Sequence, residues 1–547
     1  MQKKQILILI SILLVAAGWK TWLLLSNAIP FNSDEAIVAL MARHILAGER
    51  PIFFYGQAYM GSLDGYLVAA GFGVFGQEVW VIRLIQLILY LGTIITTVWI
   101  GHIILASYKT GLLAASILAI PTVNVTLYTT ASLGGYGEAL LLGNLILGLG
   151  YVFVKKMEIA VKNVDQTAKF PVWSTGLGLG GVIGLGLWTN GLTLIYSIPV
   201  LALIIWMAFQ YKYYFHWTFF IRRLGGVIAG FFLGSLPWWL YAFQFGIKRL
   251  ILELAGSAVA IESIPFWERI INHLVYFILL GSTVIFGFRP PWEVLWLVVP
   301  LIPIILFFWL AVLWYLVRQL RNGLSKETGA WLLASPMLIF VCAFILTSFG
   351  VDPSGRYFVP LAIPLSLFAS QMLQQFLNRI HWQYLIIGIV ILYNGWGTLL
   401  CVQQNPPGLT TQFDSQTIID HQFDQELIQF LETRGETAGF TDYWVSYPLA
   451  FQSKEKLIYI PRLPYHQTLI YTARDDRYQP YDQIVASSKK VAYITARNPQ
   501  LDIVLEQQFL EHNVSWLESS IGDYHIFYNL SKVILPSEMN LTAFSKE

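Results

Sequence analysis

The chain of 547 residues is too apolar for a soluble protein: 56% of its residues are hydrophobic and 12% are charged. Soluble domains carry about 45–50% apolar and about 25% charged residues. This composition excludes a soluble globular enzyme, a disordered chain and a fibrous protein, and it favours a polytopic membrane protein. The net charge of +2 offers no basic surface of the kind that binds nucleic acid, so no nucleic-acid partner is expected.

The first segment is predicted to be a transmembrane helix with a cytoplasmic N-terminus. Lys3 and Lys4 precede an apolar stretch over 6–25, as in a secretory signal, but no small-residue cleavage motif follows. The stretch has the length of about 20 residues that a full span needs. The two cysteines, Cys342 and Cys401, lie in apolar runs, which argues against a disulfide framework or a cysteine-based zinc site.

Ten further apolar runs are predicted to span the membrane, which gives about 11 transmembrane helices. They are 80–104, 111–125, 138–154, 172–190, 192–209, 224–245, 293–317, 331–349, 357–375 and 383–401. Another apolar run, 270–288, is predicted to lie at the interface or to pack on the bundle. The Gly-rich stretch 176–186 within one span indicates close helix packing rather than phosphate binding.

The distribution of basic residues predicts the orientation. With 11 spans, the loops on the side of the N-terminus hold 14 Lys and Arg in 56 residues, and the opposite loops hold 7 in 119. Cytoplasmic loops carry the excess of positive charge. The C-terminal segment is therefore predicted to be extracytoplasmic.

The composition becomes more polar near residue 405. Residues 1–404 are predicted to form the membrane domain, 405–415 a linker rich in Pro, Gly and Thr, and 416–547 a soluble α/β domain. Helical spacing over 418–435 ends on a glycine, and LDIVLEQQFLEHN also favours a helix. Four runs are predicted as strands: KLIYI, DQIVAS, KVAYIT and YHIFYNL.

Acidic residues at the outer ends of spans demand an explanation in a membrane protein. The outer loop 27–79 carries Asp34 and Glu35 near its start and a Tyr/Gly-rich stretch from Tyr55 to Asp64. The pair Asp34 and Glu35 suits the first turn of a helix capped by Ser33, and this role is compatible with catalysis. A loop of this length is too long for a plain connector.

A second acidic position opens the span 138–154. Glu138 follows Gly134, Gly135 and Tyr136, and the glycine pair permits close backbone approach. A first-turn acid that satisfies the helix dipole is again the simpler explanation.

Three arginines, Arg83, Arg289 and Arg356, lie at the same predicted face. Each could bind a lipid phosphate or extend to lipid headgroups. No GxxxxGK[ST] loop and no GxGxxG after a strand is present, so ATP or NAD chemistry finds no support.

These residues, in this order, resemble the GT-C membrane glycosyltransferases, in particular the superfamily of protein O-mannosyltransferases and the lipid A aminoarabinose transferase. Members begin with one span and a long outer loop that carries an Asp-Glu pair, here Asp34 and Glu35, followed by an arginine at span 2, here Arg83. Gly134 to Glu138 is similar to the second acidic position of the family. Many relatives carry proline where this chain has Asp64.

The resemblance implies a sugar donor linked to polyprenyl or dolichyl phosphate and an acceptor hydroxyl or amine on a glycan, lipid or protein. Asp34 would be the general base of an inverting transfer. Glu35 and Glu138 would be further catalytic residues that orient the acceptor, bind sugar hydroxyls or hold a cation. The resemblance is compatible with the transfer of a hexose and with the transfer of a pentose. The implied substrate-binding residues are Tyr55, Tyr59, Asp64, Arg83, Tyr136, Arg289, Arg356 and Tyr357. No cofactor is certain, and a divalent cation held by the carboxylates stays open.

Two other classes of function are alternatives to the transferase. A transporter or lipid flippase fits the number of spans, but it should show repeats and charged or broken helices at mid-membrane. A sensor or scaffold would use its outer domain to bind a partner. The outer domain shows no catalytic constellation and is predicted to recognise the acceptor or a partner. A bacterial inner membrane is the location that the resemblance implies.

Overall fold

The computed structural model describes residues 1–162, 172–210, 217–256, 264–323, 328–352, 354–404, 408–414, 417–466 and 468–541. Up to residue 403 the described chain is almost entirely helical. Its helices are α1 (Lys3–Leu25), α2 (Ser33–Leu46), α3 (Leu63–Phe75), α4 (Val79–Leu105), α5 (Tyr108–Ala119), α6 (Val123–Tyr128), α7 (Tyr136–Lys162), α8 (Val172–Thr189), α9 (Leu194–Gln210), α10 (Trp217–Gly234), α11 (Leu236–Phe245), α12 (Ile247–Gly256), α13 (Phe266–Val275), α14 (Ser282–Ile285), α15 (Ile302–Gly323), α16 (Thr328–Leu346), α17 (Ala362–Phe376) and α18 (Ile380–Gln403). A two-stranded sheet of β1 (Phe53–Phe54) and β2 (Gln57–Gly61) lies between α2 and α3.

The described residues contain nine helices that are long and apolar enough to cross a membrane, and ten if one bent pair is a single span. The nine are Lys3–Leu25, Val79–Leu105, Tyr136–Ile159, Gly191–Gln210, Phe266–Ile285, Val299–Arg321, Gly329–Leu346, Arg356–Phe376 and Ile380–Gln403. The bent pair joins Leu224–Gly234 to Leu236–Phe245 at an angle of 66°. The chain is therefore a polytopic α-helical membrane protein, as its composition predicts.

The run 111–125 does not form a single spanning helix. It folds as α5 and the short α6, which are separated at Ile120 and Pro121. Proline disfavours the helical conformation of the residue before it, and Ile120 accordingly has ψ of 85°. With 12 residues at 1.5 Å each, α5 reaches about 18 Å, short of the hydrocarbon core of about 30 Å.

The run 270–288 is helical and, within Phe266–Ile285, meets the length and composition of a span. It comprises α13, a π-helical turn at Tyr276–Gly281, and α14. Exposed apolar side chains such as Trp267 and Ile271 lie along α13. The sequence-based expectation of an interfacial helix for this run stays a prediction.

Glycines allow α8 and α10 to pack backbone against backbone. A Cβ atom added to Gly180 would meet the carbonyl of Val227, and one added to Gly230 would meet the carbonyl of Leu177. Small residues permit such close approach between membrane helices. The structure thus supports the packing interpretation of the Gly-rich stretch.

The C-terminal segment forms a five-stranded mixed sheet with helices. Its strands are β3 (Ala438–Thr441), β4 (Ile458–Pro461), β5 (Ala492–Ala496), β6 (Leu517–Ile521) and β7 (Tyr524–Tyr528), in the order β4-β3-β5-β7-β6. Its helices are α19 (Asp424–Arg434), α20 (Tyr443–Gln452), α21 (Pro480–Ser487) and α22 (Pro499–Glu511). β3 pairs in parallel with β4 and β5, whereas β7 pairs antiparallel with β5 and β6. The small α/β architecture predicted for this segment is present.

One predicted strand of this segment is wrong. The run DQIVAS lies in α21, which begins with Pro480. Proline suits the first turn of a helix because its fixed φ is helical and its missing N–H is not needed there. Tyr481 and Val485, four residues apart, form the buried face. The strands β3 and β6 and the helix α20 were not predicted.

The chain divides by its contacts into two compact units. One comprises Met1–Ser26, Tyr59–Asp64 and Arg83–Cys401, and the other comprises Asn27–Ala58, Gly65–Ile82 and Val402–Glu547. We call them the helical unit and the mixed unit. The mixed unit thus contains most of the long loop after α1 together with the C-terminal segment. Of the predicted linker, 405–407 and 415 lie outside the described residues.

Candidate active site

Asp34 is the one residue between Phe31 and Ala42 whose side chain is not buried. It lies in the first turn of α2, where the flanking Ser33 and Glu35 are 0% and 1% exposed. Helix α2 continues through buried small and aliphatic residues, so the helix itself is fixed in the mixed unit. The geometry therefore presents one carboxylate of the Asp-Glu pair to an accessible surface and buries the other.

Two hydroxyl groups hold the Asp34 carboxylate. The Tyr443 hydroxyl donates to Oδ1 at 2.7 Å, and the Thr411 hydroxyl donates to Oδ2 at 2.9 Å. The Asn32 amide donates to the Thr411 hydroxyl at 2.8 Å, and the Ser33 hydroxyl donates to the carbonyl of Tyr443. Asn32 and Ser33 therefore make tertiary contacts, and Asn32 at the N-cap position makes no side-chain cap hydrogen bond.

A charged group adjoins this carboxylate in the mixed unit. The guanidinium of Arg477 lies 5.6 Å from the ring centre of Tyr443 and interacts with the charges of Asp34 and Asp475. Burial, with a smaller contribution from the charge of Asp34, raises the pKa of Asp475 to about 6 against the opposing charges of Arg477 and Arg474. Carboxylates and arginines around Asp34 thus make a polar neighbourhood that can recognise hydroxyl or amine groups.

Tyr55 belongs to a separate cluster of the mixed unit. Its hydroxyl donates to Glu49 at 2.8 Å and lies 3.0 Å from Nδ1 of His44. The rings of His44 and Tyr55 stack on Tyr478 at centroid distances of 4.5 and 4.7 Å. The Tyr478 hydroxyl also donates to Glu49. These contacts join the chain after α2 to the segment before α21.

Asp64 is fully buried in the helical unit and accepts three hydrogen bonds. The Ser132 hydroxyl donates at 2.5 Å, the Gln86 amide at 3.1 Å and the backbone N–H of Gly134 at 3.2 Å. Gly134 and the next residue, Gly135, have φ of 84° and 101°, a conformation that favours glycine. Asp64 therefore fixes the turn that leads into α7.

Glu138 lies in the first turn of α7, beside this turn. It is 1% exposed, and Asp64 and Gln86 adjoin it. The helical unit thus brings two of the predicted acids, Asp64 and Glu138, into one buried polar site.

Arg356 forms a second cluster of the helical unit. Its Nη2 lies 2.5 Å from Oδ2 of Asp352, and its guanidinium lies 5.0 Å from the ring centre of Tyr357. Tyr59 and Tyr136 lie close enough to interact with its charge. The Arg356 side chain is 35% exposed although these aromatic residues surround it. A partly accessible guanidinium with an aromatic surround can bind an anionic group such as a phosphate.

Arg289 and Arg83 are placed differently. Arg289 is 5% exposed and donates to the Thr283 hydroxyl and to the carbonyls of Leu280, Pro290 and Glu293. Protein atoms therefore accept from four of its five N–H donors. Arg83 is buried in the first turns of α4.

Three residues around Asp34 are not among those predicted from the sequence: Thr411, Tyr443 and Arg477. Thr411 lies in the predicted linker, and Tyr443 lies in a stretch assigned only to the outer domain. Nothing in the local pattern of a single sequence indicates that they contact Asp34. Within the described ranges, no group of three or more His, Cys, Asp or Glu residues could hold a metal ion.

No sequence-family model and no curated protein matches this sequence. Its fold, however, matches solved structures. ArnT from Cupriavidus metallidurans bound to undecaprenyl phosphate matches with a TM-score of 0.59 and 12% identity, over 97% of this chain and 99% of that one. The apo state of the same protein matches with a TM-score of 0.53 and 12% identity, over 94% and 95%.

The apo oligosaccharyltransferase from Archaeoglobus fulgidus also matches, with a TM-score of 0.54 and 13% identity, over 90% of this chain and 69% of that one. Both proteins are membrane glycosyltransferases of the GT-C fold. The chain therefore has the GT-C fold, which confirms at the level of fold the resemblance seen in the sequence.

Proposed function

We propose that this protein is an integral membrane glycosyltransferase that moves one sugar from a polyprenyl-phosphate donor to an acceptor hydroxyl or amine. The observation that carries the proposal is the GT-C fold over almost the whole chain, shared with a structure that binds undecaprenyl phosphate. A membrane enzyme that uses a lipid-linked sugar needs a protein surface within reach of the bilayer, and the apolar helices provide one.

The proposal makes Asp34 the general base. The acceptor hydroxyl attacks the anomeric carbon, and its proton passes to a carboxylate oxygen of Asp34. The bond from the anomeric carbon to the phosphate oxygen breaks, and polyprenyl phosphate leaves with the bonding electrons. Attack opposite the phosphate inverts the anomeric centre. Each Asp34 oxygen accepts one hydrogen bond, which leaves lone pairs for the incoming proton.

The proposal assigns the donor phosphate to Arg356. Its guanidinium is partly accessible, and charge-assisted hydrogen bonds from arginine stabilise the charge that develops on a leaving phosphate. The protein atoms around Arg289 already engage most of its donors, so we place Arg289 in a supporting role. Tyr59, Tyr136 and Tyr357 line the Arg356 cluster and are proposed to contact the sugar.

We propose that the buried acids hold the backbone around the site in place. Asp64 holds the turn before α7 through Ser132 and Gly134, and Glu138 lies beside it. Glu35 supports the first turn of α2 from its buried side. We propose that the mixed unit, which contains Asp34 and the surrounding Arg477 and Asp475, binds the acceptor.

The site is proposed to face the extracytoplasmic side of a bacterial inner membrane, with the N-terminus in the cytoplasm. The excess of Lys and Arg in the loops on the side of the N-terminus supports this orientation. Nucleotide sugars are cytoplasmic, and a lipid carrier is the means by which a sugar reaches the other side.

Mass spectrometry of envelope glycans, lipids and proteins tests the proposal. Cells with this chain should carry a sugar modification that cells without it lack, and Asp34→Asn should behave as the deletion. Glu426→Gln, which changes an exposed first-turn acid of α19, should restore the modification. Identical envelopes with and without the chain would contradict the proposal, and a modification that Asp34→Asn restores would remove Asp34 as the base.

A further inference from the structure

The residues before α2 are fixed by residues almost 400 positions later in the chain. The backbone N–H of Leu409 donates to the carbonyl of Ala28 at 2.8 Å. Asn32 contacts Thr411, and Ser33 contacts the backbone of Tyr443. All of these residues belong to the mixed unit. The conformation around Asp34 is therefore not set by the local sequence alone.

Tyr443 is itself held in place. It is the first residue of α20, where the Asp442 carboxylate caps the helix by accepting from the N–H groups of Trp444 and Val445. The Ser446 hydroxyl donates to the carbonyl of Tyr459, which ties the helix to β4. Tyr443 is 4% exposed. A tyrosine buried on a capped helix presents its hydroxyl in one fixed position.

The guanidinium of Arg477 lies over the ring of Tyr443. Two residues of the turn between β1 and β2 also contact Arg477. Gly56, with φ of 68°, lies where a Cβ atom would come within 2.5 Å of Cδ of Arg477. The side-chain amide oxygen of Gln57, in its hydrogen-bonding orientation, accepts from Arg477 at 2.8 and 3.0 Å. The turn between β1 and β2 thus keeps Arg477 in place against Tyr443.

The two hydroxyls fix the Asp34 carboxylate through separate oxygens. Tyr443 donates to Oδ1 and Thr411 to Oδ2. Two donors from different directions define the plane of the carboxylate, so the remaining lone pairs point to a fixed place. A misplacement of about 1 Å in a catalytic group is enough to cost about 100-fold in rate.

We propose that Tyr443 and Thr411 are positioning residues for Asp34, so that the C-terminal segment completes the catalytic base. This inference rests on the proposed function, since it assumes that Asp34 takes the acceptor proton. It assigns to the C-terminal segment a part in the chemical step beyond the recognition of an acceptor.

Sugar transfer by the full-length protein in detergent, with Tyr443→Phe and Thr411→Val, tests the inference. We expect kcat to fall about 10- to 100-fold for Tyr443→Phe, with the KM for the lipid donor within about twofold, because the lost contact acts on the chemical step.

Matched variants separate positioning from folding. Thr411→Ser keeps the hydroxyl and should retain most of the activity that Thr411→Val loses. Tyr459→Phe removes another buried tyrosine hydroxyl, which donates to the carbonyl of Glu436 at 2.8 Å, and it should leave both kcat and the KM for the lipid donor unchanged.

The inference is overturned if Tyr443→Phe and Thr411→Val keep the wild-type kcat while Asp34→Asn is inactive. It is also overturned if Tyr459→Phe lowers kcat as much as Tyr443→Phe does. Retained transfer in Asp34→Asn would instead refute the proposed role of Asp34, so the two failures are distinguishable.

Discussion

Lys20 lies in the apolar helix α1, and its Nζ atom donates to the carbonyl oxygen of Thr129 at 2.8 Å. It also donates to the hydroxyl groups of Thr129 and Thr130 at 2.8 and 2.7 Å, and it lies 4.5 Å from the ring centre of Tyr90. All three of its donors are therefore engaged. Lys20 ties α1 to the end of α6, just before the turn that Asp64 holds.

Lys20→Met should lower the apparent melting temperature of the protein in detergent. The substitution removes the donor that Lys20 supplies to the buried carbonyl of Thr129, and a buried acceptor that loses its partner costs about 1–3 kcal/mol. Lys4→Met, at an exposed position of the same helix, is the matched control and should leave the melting temperature unchanged. Equal melting temperatures of the two variants would show that the buried lysine does not stabilise the helical unit.

Ser132→Ala should destabilise the turn before α7. The change leaves Oδ2 of Asp64 with only the backbone N–H of Gly134 as a donor, and a buried acceptor that loses a partner costs about 1–3 kcal/mol. Ser116→Ala, which removes a hydroxyl that bonds only within α5, should cost less. Thermal unfolding of both variants in the same detergent measures the difference, and a larger loss for Ser116→Ala would contradict the assignment.

Asp442 should make the stability of the mixed unit depend on pH. Burial raises the pKa of Asp442 to about 7, against the opposing effect of the N–H groups of Trp444 and Val445. The unfolded chain has the ordinary value of about 3.9. Between these values the unfolded state releases a proton that the folded state keeps, so stability falls as pH rises from about 4 to about 7.

Asp442→Asn should remove this slope, because asparagine still caps the helix but does not ionise. Hydrogen exchange of the α20 amides in the full-length protein, corrected for the intrinsic rate, should show stronger protection than wild type near pH 8. Near pH 4 the two proteins should be equal. Asp420→Asn, at the cap of the short turn 421–423, should keep the wild-type slope. Weaker protection of Asp442→Asn at pH 8 would refute the argument.

Arg356→Met should weaken binding of the lipid donor. If Arg356 contacts the donor phosphate, its loss removes charge-assisted hydrogen bonds and should raise the KM for the donor about tenfold or more. Arg318→Met, which removes an arginine packed on Trp314 and Phe376, should leave that KM unchanged. The same KM for Arg356→Met and wild type would place the phosphate elsewhere.

Local pattern was enough to predict the helical class, most spans and several elements of the C-terminal sheet. Gly435 ends α19 with φ of 67° in the left-handed region, as its position after a helical run indicates. The prediction of one span over 111–125 is wrong because hydropathy does not register the break at Pro121. The prediction of a strand for DQIVAS is wrong because a short apolar run fits either period.

The surroundings of Asp34 could not be predicted from the sequence. Tyr443 and Asp34 are 409 positions apart, and the contact depends on how the mixed unit folds rather than on any local period. The prediction that Ser33 caps α2 is wrong for the same reason, because the Ser33 hydroxyl donates to the backbone carbonyl of Tyr443. By contrast, Asp34, Glu35 and Glu138 do lie in first helical turns, because that preference is local.

The most direct test of the central claim is the release of undecaprenyl phosphate from a panel of undecaprenyl-phosphate-linked sugars by the purified full-length protein, with envelope extract as the source of acceptor. The wild-type protein should release the lipid phosphate from at least one sugar donor and pass that sugar to an acceptor. Asp34→Asn should bind the same donor and release nothing above background. Release at the wild-type rate by Asp34→Asn, or no release from any donor by a folded wild-type protein, would contradict the account.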